Sequence, residues 1–594
     1  MHFLFLINKK IRLSKYLGKI RNKNFISNAS EYYFISLFRR HIFCKLAGMK
    51  KIYGFCVTLC IILIACNNQN STSETTANGS SSSSKTEKKI SRRNVSITPE
   101  NSYSDLFFDS MEMENFITQN NISDSVARRM RSFYNTRNYQ YAWFSSNGLT
   151  EQALGFWNLR NYAIYSGDTS LKNKTLEKKM DSLTAEDTLQ VSASDESVLN
   201  TELALTQSFI MYALSNYEKG YVKRKELERF IPFEKEDVVT VADSLINKKH
   251  KDDKYFDDIN DDYKSLKAEL AKYLQIVKGG GWPQITGDAK TFKKGTSSAE
   301  IALLKKRFQI SGDMQVQDTS NIFDDTLTNA IKVFQNRLGL TQDGLITTAL
   351  LKDINVSAQQ RLQQILINMN RMRWMPQEPQ GQLILVNIPE FILHVVDGKN
   401  KVFDMAVVVG KEGHNTMMFT GKLSQIVFSP YWNVPPSIVK KEILPKMQSD
   451  PNYLQEQNME VTGNAGGLPV IRQLPGEKNS LGRVKFLFPN SYNIYFHDTP
   501  AKSLFSKDKR AYSHGCIRLS DPEKMADYLL QDNPNWPPDK IEEAMNSGNP
   551  QTVSIKNPVP VFITYYTAWV DENGLLNFRD DIYERDSIVA NKMF

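Results

Sequence analysis

Apolar residues recur at helical spacing through much of the first half of the chain. Three stretches show this period most clearly, at residues 123–134, 196–217 and 263–277. Three consecutive glycines followed by Trp282 and Pro283 end the pattern. We therefore predict a helical scaffold domain over residues 100–295.

A shorter helical unit is predicted over residues 296–357. It contains two amphipathic helices, at 298–308 and 325–338. Phe334 and Leu338 fall on one face of the second helix, and Gly339 stands where a glycine commonly ends a helix.

From residue 383 the pattern changes to short runs rich in β-branched and aromatic residues, several of them bounded by turn residues. Asp397-Gly398 is typical of a hairpin turn. Helices are few in this part, and we predict two, at 438–446 and 523–530. The predicted strands are 383–388, 391–396, 402–409, 424–428, 484–488, 493–496 and 560–569.

Together these patterns predict a multidomain α+β protein with a mostly-β domain over residues 380–590. One excursion from the β pattern, at about 435–475, is rich in proline, glycine and charge. A long irregular segment inside a compact domain is usually a lid or a binding loop, or else is disordered.

Residues 1–65 have the composition of a secretion leader. A basic start at Met49 is followed by an apolar run over 52–62, and the segment ends in Leu63-Ile64-Ala65-Cys66. We expect Met49 to be the true start and Cys66 to be a lipid-attachment site, because Leu-x-Ala-Cys resembles the bacterial lipobox. A plain signal peptide or an uncleaved anchor is the alternative. The polar, Ser-rich sequence that follows predicts a flexible tether over 66–99.

The leader also accounts for the basic character of the chain. The formal net charge is +9, and residues 1–51 contribute +11 through twelve Lys or Arg and one acid, Glu31. The chain from Cys66 onward therefore carries a net charge of −2. A nearly neutral protein gives no reason to expect a nucleic-acid partner.

Cys516 is the one cysteine beyond Cys66, so no internal disulfide is open to it once the leader is removed. A nearby imidazole can take the proton of a thiol and hold a thiolate–imidazolium pair. Two histidines are candidates: His514, two residues before Cys516, and His497, nineteen residues before it. His514 could lie beside the thiol or could orient the loop, and spacing alone does not bring His497 to Cys516. The histidines are scattered, so we expect no metal and no cofactor.

The string Ser513-His514-Gly515-Cys516-Ile517-Arg518, with His497-Asp498-Thr499-Pro500 before it, resembles the active site of the YkuD-type L,D-transpeptidases. The similarity is greatest to their large, YcbB-like branch. Residues 415–417 depart from it, since the family often has Thr-Pro there. Residues 296–357 resemble the helical peptidoglycan-binding module, although core packing explains the same positions. Other stretches that fit the branch are 368–374, 409–411, 430–435, 474–476, 479–486 and 571–583.

The resemblance implies that Cys516 is the nucleophile and His497 its base. The backbone carbonyl of Asp498 would orient the imidazole, in the place of a triad's third member. The implied oxyanion donors are the backbone N–H groups of Gly515 and Cys516, helped by Tyr495. Such a donor typically contributes roughly 3 kcal/mol to transition-state stabilisation.

The remaining implied site residues contact the substrate or support the loop. Arg518 and Ser513 would hold the loop or a substrate carboxylate, with a structural ion pair as the alternative for Arg518. His514 is expected to contact the substrate as well. Trp432 and the excursion at 435–475 would form a flap over the substrate.

The implied reaction is acyl transfer between peptidoglycan stem peptides. Cys516 would attack the carbonyl of the diaminopimelate at position three, release D-Ala and keep a thioester. The amine of a second stem would then resolve the thioester, giving a 3→3 cross-link. The family also implies acylation by carbapenems.

Three other outcomes stay open. With water as acceptor, the enzyme would be an L,D-carboxypeptidase, and with another amine it would exchange D-amino acids or attach a protein to the wall. A non-enzymatic wall-binding lipoprotein would share the tether and the small helical module. In each case the expected location is the cell envelope, lipid-anchored on the periplasmic face.

Overall fold

The computed structural model describes residues 90–184, 190–216, 230–247 and 260–594. The chain divides into two units, Met1–Glu87 and Lys88–Phe594, and every described residue belongs to the second. The predicted leader, Cys66 and the predicted tether up to residue 89 lie outside the described residues. No helix in the described ranges is long and apolar enough to cross a membrane.

Residues 90–99, predicted as the end of the tether, are instead folded onto the helical domain. Ile97 is fully buried, and the backbone N–H of Asn94 donates to the carbonyl of Asn135 at 2.7 Å. The tether prediction is wrong for these residues because a few apolar side chains within polar sequence give little local signal.

In its described residues, the helical domain has seven α-helices, with a small hairpin between the second and third. Helix-capping side chains define several of the starts; for example, Thr150 accepts from the backbone N–H of Ala153. The helices are α1 (Ser110–Gln119), α2 (Asp124–Thr136), α3 (Glu151–Tyr165), α4 (Lys174–Thr184), α5 (Glu196–Asn216), α6 (Val238–Asn247) and α7 (Asp261–Lys278), and the hairpin strands are β1 (Phe144–Ser145) and β2 (Gly148–Leu149).

A separate small core belongs to the second helical unit. Its helices are α8 (Ala299–Ser311), α9 (Asp325–Arg337) and α10 (Thr348–Ile354). Phe334 is buried against Phe308 of α8, with ring centroids 5.4 Å apart. Gly339 follows α9 with φ +68° and donates to the carbonyl of Asn336, as the sequence predicts for a helix-ending glycine.

Helix α11 (Ala358–Met372) links this unit to the β domain and packs in the helical core. Its start has a capping box, in which Ser357 and Gln360 each bond the other's backbone. Leu362, Ile365 and Met369 are buried on one face, at the spacing of an amphipathic helix.

The β domain is a nine-stranded sheet that closes on itself. Its strands are β3 (Gln382–Asn387), β4 (Ile392–Asp397), β5 (Asn400–Gly410), β6 (Phe419–Phe428), β10 (Val484–Leu487), β11 (Phe496–His497), β12 (Ala511–Ser513), β13 (Ile517–Leu519) and β14 (Gln551–Thr564). Their order in the sheet is β12-β5-β13-β11-β10-β6-β14-β3-β4, and β4 also pairs with β5. Helices α15 (Pro522–Leu530) and α16 (Pro538–Asn546) contribute side chains to the core of this domain.

The excursion predicted as irregular is an ordered subdomain. Its elements are β7 (Trp432–Asn433), α12 (Pro436–Ile438), α13 (Leu444–Ser449), α14 (Tyr453–Glu456), β8 (Met459–Ala465) and β9 (Leu468–Gln473). The strands form a sheet in the order β7-β9-β8, and a small apolar cluster around Val439, Ile443 and Ile471 lies beneath it. A π-helical turn, Val439–Ile443, lies between α12 and α13.

The end of the chain leaves the β domain and packs on the helices. The predicted strand at 560–569 is divided between the end of β14 and β15 (Ala568–Val570), which pairs with β16 (Leu576–Phe578). Ala568 and Phe578 are buried in the helical core. Helix α17 (Arg585–Met593) was not predicted, and neither was α16. The segment after β14 therefore contributes to both cores, since Tyr583 is buried in the core of the β domain.

Candidate active site

The register of three neighbouring strands brings the candidate residues to one face of the sheet. Strands β11 and β13 are parallel, with Phe496 opposite Ile517 and His497 opposite Arg518. Phe496 and Ile517 are fully buried in the core. Because side chains alternate along a strand, His497 and Arg518 face the other side. The same alternation places Tyr495 and Cys516 on that side.

Strand β10 adds a further side chain to this face. It is antiparallel to β11, with Lys485 opposite His497. Val484 and Phe486, which flank Lys485, are both fully buried in the core. Lys485, His497 and Arg518 therefore stand side by side across three strands, with Cys516 two residues before Arg518.

His497 is held as a neutral imidazole. Its Nδ1 lies 2.5 Å from the backbone carbonyl of Asp498, as the resemblance implies. A carbonyl can only accept, so Nδ1 carries the proton and Nε2 has the free lone pair. Burial, and secondarily the charge of Arg518, lowers the pKa of His497 to about 3. The imidazole is therefore uncharged at neutral pH.

The Asp498 carboxylate is engaged on the far side of the turn rather than at the imidazole. Its oxygens accept from the backbone N–H groups of Arg483 and Thr499, at 2.8 and 2.7 Å, and from Lys502 Nζ at 2.7 Å. These bonds fix the peptide whose carbonyl orients His497. Gly482 is required nearby, because a Cβ there would collide with the carboxylate.

The Cys516 thiol is protonated in the resting site. Burial raises its pKa, although the backbone and hydroxyl of Tyr495 and the charge of Arg518 act in the opposite direction. The thiol donates weakly to the carbonyl of Asn493, with a sulfur–oxygen distance of 3.7 Å. The resting pair is thus a thiol and a neutral imidazole.

The loop before Cys516 is closed by Ser513. The Ser513 hydroxyl donates to the Cys516 carbonyl at 2.6 Å and accepts from the Gly515 N–H at 3.2 Å. Ser513 is buried, so its hydroxyl serves the loop rather than a substrate. The Gly515 N–H, expected as an oxyanion donor, is already engaged. No described residue accepts from the Cys516 N–H.

Two residues from distant segments support this loop. Thr416 donates through Oγ1 to the Gly515 carbonyl at 2.8 Å and accepts from the Gly410 N–H at 2.9 Å. Tyr583 donates to the Gly410 carbonyl at 2.6 Å. Gly410 lies so close to this network that a Cβ would collide with the His414 carbonyl.

His514 points toward the subdomain formed by the excursion. Its Nε2 lies 2.8 Å from Glu442 Oε1, and its ring packs edge-on against His414 with centroids 4.8 Å apart. Trp432 is half-buried and packs on the apolar cluster of that subdomain. Neither residue belongs to the group that the sheet register brings together around Cys516.

Comparison with known families matches three parts of the chain. The model of the YkuD family, described as an L,D-transpeptidase catalytic domain, matches residues 381–560. These residues contain Lys485, His497, Cys516 and Arg518. Residues 381–560 form a YkuD-type L,D-transpeptidase domain. A scaffold-domain model matches residues 128–270, and a peptidoglycan-binding-domain model matches residues 297–353.

A curated relative agrees with this assignment. A protein of Haemophilus influenzae, provisionally named an L,D-transpeptidase, is 32% identical over 240 residues, which cover 38% of this chain and 48% of the relative. The chain thus spans about half the length of the curated relative it matches.

The solved structures share low identity with this chain. An L,D-transpeptidase of Mycobacterium smegmatis is 17% identical, with a TM-score of 0.18, over 31% of this chain and 58% of that one. An L,D-transpeptidase of Stackebrandtia nassauensis is 15% identical, with a TM-score of 0.20, over 47% and 96%. TM-scores of this size do not bear on the assignment, which rests on the sequence match.

The site of the L,D-transpeptidase domain includes residues whose roles the sequence did not indicate. Lys485, Thr416 and Tyr583 are the main ones, and Gly410 is required by close packing. Lys485 had a usable signal, since it is the charged residue between two buried positions of a short strand. Thr416 and Tyr583 had no signal in the local pattern, because they lie 99 and 68 residues from Gly515 in sequence, although Tyr583 belongs to the stretch 571–583 that resembles the family.

The protonated state of Cys516 can be tested by alkylation. Because burial raises the thiol pKa, iodoacetamide should modify Cys516 slowly at neutral pH and increasingly fast only as the pH rises above the ordinary thiol pKa of about 8.5. Mass spectrometry of the peptide containing Cys516 separates this reaction from that of the leader cysteines. Fast modification that stays constant down to pH 6 would instead indicate a preformed thiolate–imidazolium pair.

Proposed function

We propose that this protein forms 3→3 cross-links between peptidoglycan stem peptides through a thioester on Cys516. The observation that carries the proposal is the strand register that places a neutral, oriented imidazole and a thiol on one face of an L,D-transpeptidase domain. The nucleophile needs such a base because the thiol is protonated at rest.

In the first step, His497 Nε2 takes the thiol proton as Cys516 Sγ attacks the carbonyl of the diaminopimelate at position three. The carbon–nitrogen bond to the terminal D-Ala then breaks. His497 returns the proton to the leaving nitrogen, and a thioester remains. In the second step, the amine of another stem attacks the thioester and gives its proton to His497. A new amide bond forms, and the Cys516 thiol is restored.

The negative charge that develops on the carbonyl oxygen of the substrate during attack needs hydrogen-bond donors close to Cys516. The Cys516 N–H and the Tyr495 hydroxyl are the two candidates that the geometry leaves available. Burial raises the pKa of Tyr495, so its hydroxyl keeps the proton that it would donate. Gly515 has a different part in this proposal: its φ of +108° shapes the loop, and its N–H bonds to Ser513.

The remaining expectations from the sequence belong to the same proposal. Arg518 would bind a substrate carboxylate, since no described residue forms an ion pair with it. The module at 296–357 would bind peptidoglycan. The subdomain at 432–473 would cover the substrate through its contact with His514. Lipid attachment at Cys66 would hold the protein at the periplasmic face of the envelope, and carbapenems would acylate Cys516.

The test uses the full chain in mild detergent, because its leader segment is apolar, with purified disaccharide-tetrapeptide as substrate. Mass spectrometry should detect a dimer that has lost one D-Ala, and the variant Cys516→Ala should form none. Tripeptide without dimer would identify an L,D-carboxypeptidase instead. If neither product forms and meropenem leaves no adduct on Cys516, the enzymatic proposal fails, and a wall-binding lipoprotein remains.

A further inference from the structure

Two cationic side chains flank the proposed base. Lys485 is opposite His497 on one side, and Arg518 is opposite His497 on the other. Both are half-buried, and each interacts electrostatically with Cys516. Adjacent strands lie about 4.8 Å apart, so the two cations bracket the imidazole within the width of three strands.

Neither cation has an anionic partner in the described part of the chain. Within 4 Å of Lys485 Nζ and of the Arg518 guanidinium there is no described carboxylate. Lys485 donates to the carbonyl of Tyr431 at a long 3.5 Å. The buried Nε of Arg518 has no hydrogen-bond partner. The carboxylate of Asp498, the next residue after His497, is instead taken up by Lys502 and two backbone N–H groups.

Such an arrangement is unfavourable without a ligand. Partly buried charges are normally paired, and two like charges near each other add repulsion. Burial lowers the pKa of both Lys485 and Arg518, which is the electrostatic sign of this cost. A bound anion would offset this cost. Because both cations stand beside His497, the anion must belong to the part of the substrate that lies next to the imidazole.

The proposed reaction supplies an anion at this position twice. His497 must protonate the leaving nitrogen, and later it must deprotonate the accepting nitrogen, so both nitrogens occupy the same place beside Nε2. The leaving D-Ala carries a carboxylate on the carbon next to its nitrogen. The accepting centre of diaminopimelate does so as well. The carboxylate carbon is two bonds from the nitrogen, about 2.5 Å away.

We propose that Lys485, together with Arg518, forms a subsite for the α-carboxylate of the amino acid that leaves and of the one that accepts. This inference rests on the proposed function. It makes the enzyme selective for donors that end in a free carboxylate one residue beyond the scissile bond. In the second step the subsite also favours amino acids as acceptors over water and over amines without a neighbouring carboxylate, such as a lysine side chain.

The first experiment compares two donors with the full chain in mild detergent. One donor is the disaccharide-tetrapeptide with a free terminal carboxylate, and the other is the same compound with a terminal carboxamide. The native chain should prefer the acid by about 10–100-fold in kcat/KM, the range expected for a charge-assisted hydrogen bond. In Lys485→Met the preference for the acid donor should fall about tenfold or more, because kcat/KM for the acid donor falls while kcat/KM for the carboxamide donor does not.

The second experiment varies the acceptor. With the acid donor, exchange with D-alanine should exceed exchange with D-alaninamide in the native chain, and this difference should shrink in Lys485→Met. Lys485→Arg keeps a positive charge and should retain most of the preference. The control is Lys422→Met, which removes an exposed lysine from β6 of the same sheet and should leave both preferences unchanged.

Each other outcome has a distinct meaning. If the native chain turns over both donors equally, the carboxylate subsite is wrong while the proposed function stands. The same holds if Lys485→Met loses rate equally on acid and amide, since that indicates a structural role. If the native chain turns over neither donor, the proposed function and the subsite both fail. Thermal unfolding identifies a misfolded Lys485→Met, and Lys485→Gln then takes its place.

Discussion

Replacing His497 with glutamine should lower the rate of cross-link formation by about 10²–10⁴-fold, the usual contribution of a general base. The effect should be this large because the thiol is protonated at rest, so attack needs an acceptor for its proton. Glutamine can still donate to the Asp498 carbonyl but cannot take a proton at neutral pH. The loss should appear in kcat, with a much smaller change in KM.

The matched control is His394→Gln. His394 also lies on a strand of the sheet, but it is paired with Asp404 and Glu390 at 2.8 and 3.2 Å rather than with the site. Its replacement should lower stability and leave turnover near that of the native chain at 25 °C. Equal turnover losses in the two variants would refute the assignment of His497 as base.

Removing Arg371 should destabilise the fold by about 3–5 kcal/mol, the cost typical of breaking a buried ion pair. Arg371 lies in α11 with a side chain only 5% exposed. It donates to Glu151 of α3 at 2.6 Å and to Asp586 of α17, and so joins three helices. In Arg371→Met both carboxylates, whose side chains are 13% exposed, would stay largely out of water without their counter-ion. Urea unfolding followed by tryptophan fluorescence measures the loss, since Trp143, Trp157 and Trp374 are buried in the same core.

A surface ion pair provides the comparison for this second prediction. Arg131 binds Glu114 through two hydrogen bonds, at 2.8 and 2.6 Å, but its side chain is 31% exposed. Arg131→Met should therefore cost at most about 1 kcal/mol. Similar midpoints for the two variants would contradict the view that Arg371 holds the helices together.

Most of the secondary structure followed from local patterns. The helices at 123–134 and 263–277 and the strands around the Asp397-Gly398 turn depend on apolar spacing and turn residues, which the sequence displays directly. Helix α17 was missed because it is short and polar and is stabilised by contacts with distant helices. The subdomain at 432–473 was expected to be irregular because its proline and glycine content hides a core of about five apolar side chains.

For the candidate site, the sequence supplied the identities but not the arrangement. Cys516 stood out as the one cysteine beyond Cys66, and the motif around it and His497 resembles a known family. The neutral state of both groups depends on burial, which spacing does not reveal. The same is true of the engaged Gly515 N–H, since the Ser513 hydroxyl that occupies it is polar and could equally face a substrate. The support from Thr416 and Tyr583 depends on long-range packing.

The pairing of β11 with β13 has a consequence for how such sites vary. Cys516 and His497 are set against each other by the hydrogen bonds of two adjacent strands, while residues 498–510 leave the sheet and return to it at β12. Loop length costs little free energy, so this connection can lengthen or shorten without moving either reacting group. A pattern search that requires the cysteine nineteen positions after the histidine would therefore overlook chains with the same chemistry. One that requires a histidine strand and a cysteine strand, each with its alternating apolar residues, would retain them.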